Sequence, residues 1–179
     1  MRMSELLDIV DRLGRVIGQA PRLVCHGDPS LIHQAVHVQV FDREGRLFLQ
    51  KRSAAKDIQP GKWDSSVGGH LQLGEAPLQG AHRELAEELG VRALRLEKAY
   101  EYFWESPVET ELVRTFVTLH EGPFQLQASE IDEGRFWTLD EIEAALPTGI
   151  ATPQFAFEFP RLREWWNRKR SDMTQFTRA

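Results

Sequence analysis

The sequence contains a single cysteine, Cys25, and no run of about 18 apolar residues. One cysteine excludes a disulfide within the chain, and without a long apolar run we expect no membrane-spanning helix. Charged side chains recur every two or three residues through residues 1–18, so this segment lacks the apolar core of a secretory signal. From these absences we expect a cytoplasmic protein that has no membrane partner.

The sequence also lacks an excess of positive charge. Its 22 Lys and Arg residues against 27 Asp and Glu give a formal net charge of −5. Binding to a phosphate backbone usually needs a basic face, so we expect no nucleic-acid partner. The one basic cluster comprises Arg161, Arg163, Arg168, Lys169 and Arg170. Because it is interleaved with Leu162, Trp165 and Trp166, we interpret it as the solvated outer face of an amphipathic helix.

No repeat, low-complexity tract or linker rich in Pro, Gly and Ser divides the 179 residues. The hydrophobic content of 41% and charged content of 27% are typical of a globular domain. We therefore predict one domain over residues 1–179, long enough to bury a substantial core. Within it, residues 1–32 are predicted to form an N-terminal hairpin extension, and residues 171–179 a frayed tail.

Alternating apolar and polar residues predict strands that are joined by turns. The predicted strands lie in residues 7–22 (two strands around a turn at 12–15), 33–41, 95–105, 111–119 and 134–138, with a turn at 42–45 leading into a further strand from Leu47. Helices are predicted at 140–146 and at about 154–169, the second bent or begun at Pro160. Strands mixed with few helices favour an α+β fold with a mixed sheet flanked by helices.

Residues 69–91, GHLQLGEAPLQGAHRELAEELGV, contain the most informative pattern of the chain. Pro77 and Gly90 mark the first turn and the end of a predicted helix. Its apolar positions at helical spacing are Leu78, Ala81, Leu85 and Leu89. A helix with such an apolar face packs against the protein, so its other face is held in place.

Three glutamates, Glu84, Glu87 and Glu88, share the polar face of this helix, because residues three and four apart are neighbours. Carboxylates crowded in this way repel one another unless a cation lies between them. Ligands that offer only oxygen suit a hard divalent ion such as Mg²⁺ or Mn²⁺. The spacing therefore predicts a metal site rather than an ordinary solvated face.

The fixed positions of this segment are Gly69, Glu75 and the run Arg83-Glu84-Leu85-x-Glu87-Glu88-x-Gly90-Val91. They are similar to the Nudix box, and the chain resembles the Nudix hydrolase superfamily over most of its length. The resemblance implies a Nudix-type α/β/α sandwich, preceded here by the short N-terminal β-hairpin. It also implies hydrolysis of a small-molecule nucleoside diphosphate derivative with the help of Mg²⁺ or Mn²⁺.

The resemblance further implies roles for the residues of the box. Glu84, Glu87 and Glu88 correspond to the metal ligands, and Arg83 to the arginine that orients them. Gly69 and Glu75 hold the loop before the helix, the glycine because the backbone must approach closely there.

The base that removes a proton from the attacking water is a separate question. Glu84 is the first choice, with Glu130 and Glu133 in a later loop as alternatives. Arg52 is a candidate for contacting a substrate phosphate through bidentate geometry, with a plain surface charge as the alternative. Trp63 either stacks on a base or packs in the protein. Three other aromatic residues, Trp104, Phe136 and Trp137, are predicted to be core or helix-packing residues.

Residues 50–75, QKRSAAKDIQPGKWDSSVGGHLQLGE, resemble a subgroup near isopentenyl-diphosphate isomerase, which is itself built on the Nudix fold. In that isomerase, three histidines and two glutamates hold a metal. The residues at matching places here are His26, His33, His70, Glu109 and Glu111. Histidine clusters suit Mn, Zn or Fe ions, so the resemblance implies a second metal site. Unrelated surface histidines are the alternative.

One departure from the isomerase pattern separates the functional hypotheses. The isomerase has a catalytic cysteine at or beside the Gly-His pair, where this chain has Val67-Gly68-Gly69, and Cys25 lies far upstream. Hydrolysis is therefore favoured. The alternatives are an isopentenyl-diphosphate isomerase-like enzyme and a non-catalytic module that senses a ligand. The N-terminal hairpin also offers a surface for a homodimer.

Overall fold

The computed structural model describes residues 5–56, 58–92 and 95–173. Its strands are β1 (Leu6–Val10), β2 (Val16–Pro21), β3 (Ile32–Phe41), β4 (Leu47–Arg52), β5 (Trp63–Asp64), β6 (Val67–His70), β7 (Glu97–Glu105), β8 (Thr110–Leu119) and β9 (Ile131–Trp137). Its helices are α1 (Arg22–Cys25), α2 (Pro77–Leu89), α3 (Leu139–Ala145) and α4 (Pro153–Met173), with a short 3₁₀ turn at Leu146–Thr148.

Strand β3 lies at the centre of the sheet. It pairs antiparallel with β1, β4 and β6, and parallel with β8 along its whole length, from Ile32 opposite Thr110 to Phe41 opposite Leu119. Strand β7 adds antiparallel to the far side of β8, and β9 to β4. The sheet is therefore mixed, as predicted, and β1 with β2 forms the predicted N-terminal hairpin.

Helices cover both faces of this sheet. Successive side chains of a strand point to opposite faces, so Val36, Val38 and Val40 of β3 pack beneath α2, while Phe41 packs beneath α4. Apolar residues at helical spacing dock each helix: Ala81, Leu85 and Leu89 in α2, and Phe155, Phe159, Leu162 and Trp166 in α4. The predicted α/β/α sandwich is confirmed.

Several predictions about individual elements need correction. Leu78 is 46% exposed, so the apolar face of α2 begins at Ala81. Helix α4 begins at Pro153 and continues past Pro160, so the alternative start at Pro160 is wrong. It also extends through Met173, into the segment predicted to fray, whose residues 174–179 lie outside the described part of the chain.

Four short elements were not predicted, because their sequences carry no strong periodic pattern: β5, β6, α1 and the 3₁₀ turn. Strand β6 contains Gly68 and Gly69 and forms only because β3 offers it a partner. Helix α1 is a single turn anchored by the buried Cys25. Among the described helices, none combines the length and the apolar character needed to cross a membrane.

Candidate active site

A cavity of about 670 Å³ opens between α2, β6 and the turn that joins β7 to β8. Two groups of residues singled out in the sequence line it together. The first is the acidic face of α2, and the second is most of the histidine-containing group. The lining members are Glu84, Glu87, Glu88, His26, His70, Glu109 and Glu111. Both candidate metal-binding groups therefore face one cavity.

Helix α2 presents its acidic face because both of its ends are fixed. At the start, Pro77 occupies the first turn, and the Gln79 side chain accepts a hydrogen bond from the Ala76 N–H at 3.3 Å. At the end, Gly90 adopts a left-handed conformation with φ of 67°, which suits glycine. The apolar face is packed in the core, so the opposite face must look into the cavity.

Arg83 ties the carboxylates of this site together. Its Nε and Nη2 donate to the two carboxylate oxygens of Glu75, each at 2.9 Å, in the bidentate geometry that arginine favours. Its Nη1 donates to Glu84 at 2.7 Å and to Glu87 at 3.3 Å, and Nη2 also donates to the His70 carbonyl at 3.1 Å. The hydrogen bonds from Arg83 lower the pKa of Glu75 and keep it ionised.

Gly69 makes room for the Glu84 carboxylate. A Cβ atom at position 69 would lie 2.2 Å from Cδ of Glu84, far inside van der Waals contact. Any side chain at this position would therefore push Glu84 out of the site. The close approach that the sequence predicted at this glycine is present.

Glu88 is the most buried of the three carboxylates of α2, at 7% exposure. Burial and the neighbouring charge of Glu84 raise its pKa to about 8, although Gln50 donates to it at 3.0 Å and the Gly68 N–H also donates. Burial likewise raises the pKa of Glu84. Negative charge is therefore crowded here without enough compensation, which is the condition that a divalent cation relieves.

The histidine-containing group converges on one point. Single nitrogens of His26, His33 and His70 lie within 4.8 Å of one another. Glu111 lies 3.1 Å from Nε2 of His70 and 3.4 Å from Nε2 of His33, and Glu109 lies 3.4 Å from Nδ1 of His26. His26 directly follows α1, His33 lies in β3, His70 ends β6, and Glu109 and Glu111 lie just before and within the start of β8. The structure thus brings together residues that are far apart in sequence.

The donor atoms of this group fit a metal ion. Within the described residues, Nε2 of His26, both ring nitrogens of His33 and Oε2 of Glu109 are buried without a hydrogen-bond partner. Buried polar atoms without partners are rare in native proteins, and an ion is one of the few explanations. Imidazole nitrogens with carboxylate oxygens form a donor set for Mn, Zn or Fe.

The protonation states favour the same interpretation. Burial, together with repulsion from His70 and His33, lowers the pKa of His26 to about 4, so its ring is neutral at pH 7. Burial alone raises the pKa of Glu111, but the neighbouring imidazoles of His33 and His70 outweigh it and hold the pKa well below its usual range. Neutral imidazole and ionised carboxylate are the forms that bind metals.

The other candidate residues divide between cavity and surface. Arg52 lines the cavity, where its Nη1 donates to Asp64 at 3.3 Å. Glu130 also lines it and forms an ion pair with Lys56. Glu133 is absent from the lining and lies 3.8 Å from Lys51. Of the two alternative bases, only Glu130 therefore faces the cavity.

The aromatic residues divide in a similar way. Trp63 is buried and packs edge to face on Trp137, with ring centroids 5.1 Å apart, so the packing interpretation is right. Phe136 packs against the buried cluster beneath α2. Trp104 is half-buried and lines the cavity, and it packs on Phe157 of α4 with ring centroids 5.4 Å apart, so of the two predicted roles helix packing is the right one.

Two buried charged residues beside the cavity escaped the sequence analysis. His37 of β3 lines the cavity, and its Nδ1 lies 2.6 Å from Oε2 of Glu158 of α4. The two residues are 121 positions apart, so no local motif joins them. The available signals were a histidine at an inward position of a strand and a glutamate on the apolar face of a helix.

Comparison with known proteins places this geometry in a family. The NUDIX domain family matches residues 31–157. The chain belongs to this family. It is 38% identical to the isopentenyl-diphosphate Delta-isomerase of Streptomyces avermitilis over 143 residues, which cover 76% of this chain and 73% of the relative. It is 36% identical to an uncharacterized Nudix hydrolase of Yersinia pestis, over 78% of this chain and 76% of the relative.

The fold of the Nudix chain also matches a solved structure. The crystal structure of DR0079 from Deinococcus radiodurans aligns with a TM-score of 0.75 and 25% identity, over 88% of this chain and 98% of that chain. The predicted membership of the Nudix hydrolase superfamily is confirmed, and with it the prediction of a Nudix-type enzyme. The relatives carry both hydrolase and isomerase names, so the reaction has to be argued from the site.

Proposed function

We propose that the protein is a metal-dependent pyrophosphohydrolase that cleaves a nucleoside diphosphate linked to another moiety. One observation carries the proposal: Glu84, Glu87 and Glu88 are all present and face one cavity, where Arg83 donates hydrogen bonds to Glu84 and Glu87. In the isomerase alternative, the position beside the Gly-His pair would need a cysteine, and here Gly68 offers no side chain.

The carboxylates of α2 would hold Mg²⁺ or Mn²⁺. Bound there, the ion supplies positive charge that offsets the carboxylates and the diphosphate and polarises the phosphoryl oxygen. Arg83 keeps Glu84 and Glu87 in place through hydrogen bonds, and Gly69 leaves the space that Glu84 occupies. Arg52 extends into the cavity as a donor for a substrate phosphate.

Glu84 is the proposed base for the attacking water. It lines the cavity and is largely buried, and burial raises its pKa, which brings a carboxylate closer to the range where a base works at neutral pH. Glu130 is the alternative base, because it lines the same cavity.

We expect nucleoside monophosphate to appear when the protein is incubated with Mg²⁺ or Mn²⁺ and nucleoside di- and triphosphates, dinucleotides or sugar nucleotides. Removal of the metal with EDTA should abolish the reaction. Glu87→Gln should slow it roughly a hundredfold, because a metal stabilises the charge of the transition state by several kcal/mol and the loss of one ligand removes part of that stabilisation. Product is measured by chromatography. The control variant is Glu164→Gln, an exposed carboxylate of α4.

Isopentenyl diphosphate belongs in the same panel, because the histidine-containing group and the 38% identity to an isomerase favour that second function. Its isomerisation without turnover of any nucleotide would replace the hydrolase proposal. Tight nucleotide binding without turnover would instead favour a ligand-sensing module.

We also propose that His26, His33, His70, Glu109 and Glu111 form the second metal site. Cobalt titration should show one site with visible absorption bands typical of nitrogen ligands, and His26→Gln should weaken that site about tenfold or more, since ligand changes have effects of this size. His120→Gln removes a histidine that this group does not contain and serves as the control. Unchanged cobalt spectra in His26→Gln would contradict the site.

A further inference from the structure

Glu158 is a buried carboxylate surrounded by donors. It has no exposed surface, and it accepts hydrogen bonds from Tyr100 and Tyr102 at 3.0 Å each, from Thr115 at 2.6 Å and from His37 at 2.6 Å. These donors come from β3, β7 and β8, while Glu158 comes from α4. Four elements of the fold therefore meet at a single carboxylate.

Stability alone does not explain this arrangement. Removing two charges from water costs several kcal/mol per ion, and well-packed apolar residues often replace a buried ion pair without loss. Four donors keep Glu158 ionised, and its negative charge lies directly beside the imidazole of His37. The pair is therefore better explained by its effect on the charge of that imidazole.

The free nitrogen of His37 lies at the cavity wall. Its Nδ1 is taken by Glu158, and within the described residues Nε2 has no hydrogen-bond partner. A Cβ atom on Gly68 would lie 3.3 Å from Nε2 and 3.1 Å from Cδ2, so the ring occupies space that this glycine leaves open. The Gly68 N–H in turn donates to Glu88. Gly68 therefore lies between His37 on one side and Glu88 of α2 on the other.

We propose that His37 is a substrate-binding residue whose Nε2–H donates to a phosphoryl oxygen of the diphosphate, and that Glu158 is the positioning residue that keeps the imidazole charged. This inference rests on the proposed function and names a contact within that site. A diphosphate in the cavity would lie near the carboxylates of α2 and the metal that they hold. The charged imidazole of His37, on the opposite side of Gly68, would offset the negative charge of phosphoryl oxygens that the metal does not contact.

The charges around His37 agree with this role. Burial alone lowers its pKa, but the charge and hydrogen bond of Glu158 outweigh burial and raise the pKa to about 9. Asp64 on β5 and Glu111 on β8 raise it further, while Tyr102 of β7 contributes an uncharged hydroxyl to the same network. The imidazole is therefore a cation throughout the neutral range.

The test uses the wild-type protein with Mg²⁺ and methylenediphosphonate, a diphosphate analogue that hydrolysis cannot cleave. In ¹⁵N NMR spectra, the Nε2 resonance of His37 should shift on addition of the analogue, while that of His120 should not. By calorimetry, His37→Gln should bind the analogue about tenfold more weakly, the size expected for the loss of a hydrogen bond between charged groups. His120→Gln should bind like the wild type.

A second variant separates a charge effect from a packing effect. Glu158→Gln keeps the shape but removes the charge that outweighs burial, so His37 should lose its proton at a lower pH than in the wild type. Its dissociation constant relative to wild type should therefore rise several-fold between pH 6 and pH 8. A merely structural role would lower the melting temperature of this variant and leave that ratio constant with pH.

The inference is overturned if the Nε2 resonance of His37 stays unmoved at saturating analogue, a measurement that needs no variant to fold. It is equally overturned if His37→Gln binds within twofold of wild type, or if the wild type does not bind the analogue. Nucleotide hydrolysis that is lost in Glu87→Gln but normal in His37→Gln would reject this inference alone. Absence of hydrolysis, with the His37 shift intact, would reject only the hydrolase proposal.

Discussion

Replacement of Glu84 by glutamine is expected to lower kcat for the preferred nucleotide by roughly a thousandfold, which corresponds to about 4 kcal/mol of transition-state stabilisation. Glutamine keeps the size of the side chain but removes its charge and its ability to accept a proton. Arg83 would lose the charge partner at 2.7 Å and retain Glu75 and Glu87. The protein should therefore fold normally, which circular dichroism checks.

The same variant distinguishes the two roles proposed for Glu84, which are the base for the attacking water and a metal ligand. If Glu84 acts as the base, kcat falls while the affinity for Mn²⁺, measured by electron paramagnetic resonance, changes little. If Glu84 acts mainly as a ligand, the Mn²⁺ affinity falls and high Mn²⁺ concentrations restore part of the rate. Glu130→Gln is the companion variant, because Glu130 is the other candidate base at the cavity. A loss of less than tenfold in Glu84→Gln would contradict both roles.

The acidic helix could be predicted in detail because its information is local. Spacing along one helix puts Glu84, Glu87 and Glu88 on one face, and the ends at Pro77 and Gly90 follow from backbone preferences. The contact of Arg83 with Glu87 follows from the same spacing. The prediction that Leu78 lies on the packed face is wrong for a physical reason. A helical pattern gives the direction of a side chain but does not show whether the rest of the protein extends far enough to cover it.

The rest of the cavity depends on contacts between distant segments. His26, His33 and His70 are recognisable only by resemblance. The pairing of β3 with β6 brings His33 and His70 together, and His26 joins them from the end of α1. The link between His37 and Glu158 needs β3 and α4 to meet across the sheet. Spacing along the sequence gives no information about contacts between such distant segments, so this pair is recognisable only in the folded structure.

Replacement of His37 by leucine is expected to lower the free energy of unfolding by about 3–5 kcal/mol, because Glu158 would remain buried without its charge partner. The hydroxyls of Tyr100, Tyr102 and Thr115 would still donate to it but could not supply positive charge. The double variant His37→Leu/Glu158→Leu should regain most of the loss, since it removes both charges. Urea unfolding at pH 6.5 measures all three proteins.

The pH dependence of stability provides an independent measurement of the same pair. The pKa of His37 is about 9 in the folded state and near 6.5 in the unfolded state, so its stabilising effect is complete below pH 6.5 and is lost as the pH rises through 9. The pKa of Glu158 is lowered by His37 despite burial, so its contribution is lost only in acid, below the ordinary value of 4.5.

Relative to the double variant, the wild type should therefore lose ~3 kcal/mol of stability between pH 6.5 and pH 9. The comparison with the double variant removes the titration of the other groups, including Glu88. A stability difference that stays constant over this interval would mean that His37 is neutral in the folded state. In that case, the charged donor proposed for the substrate phosphate would be missing from the cavity.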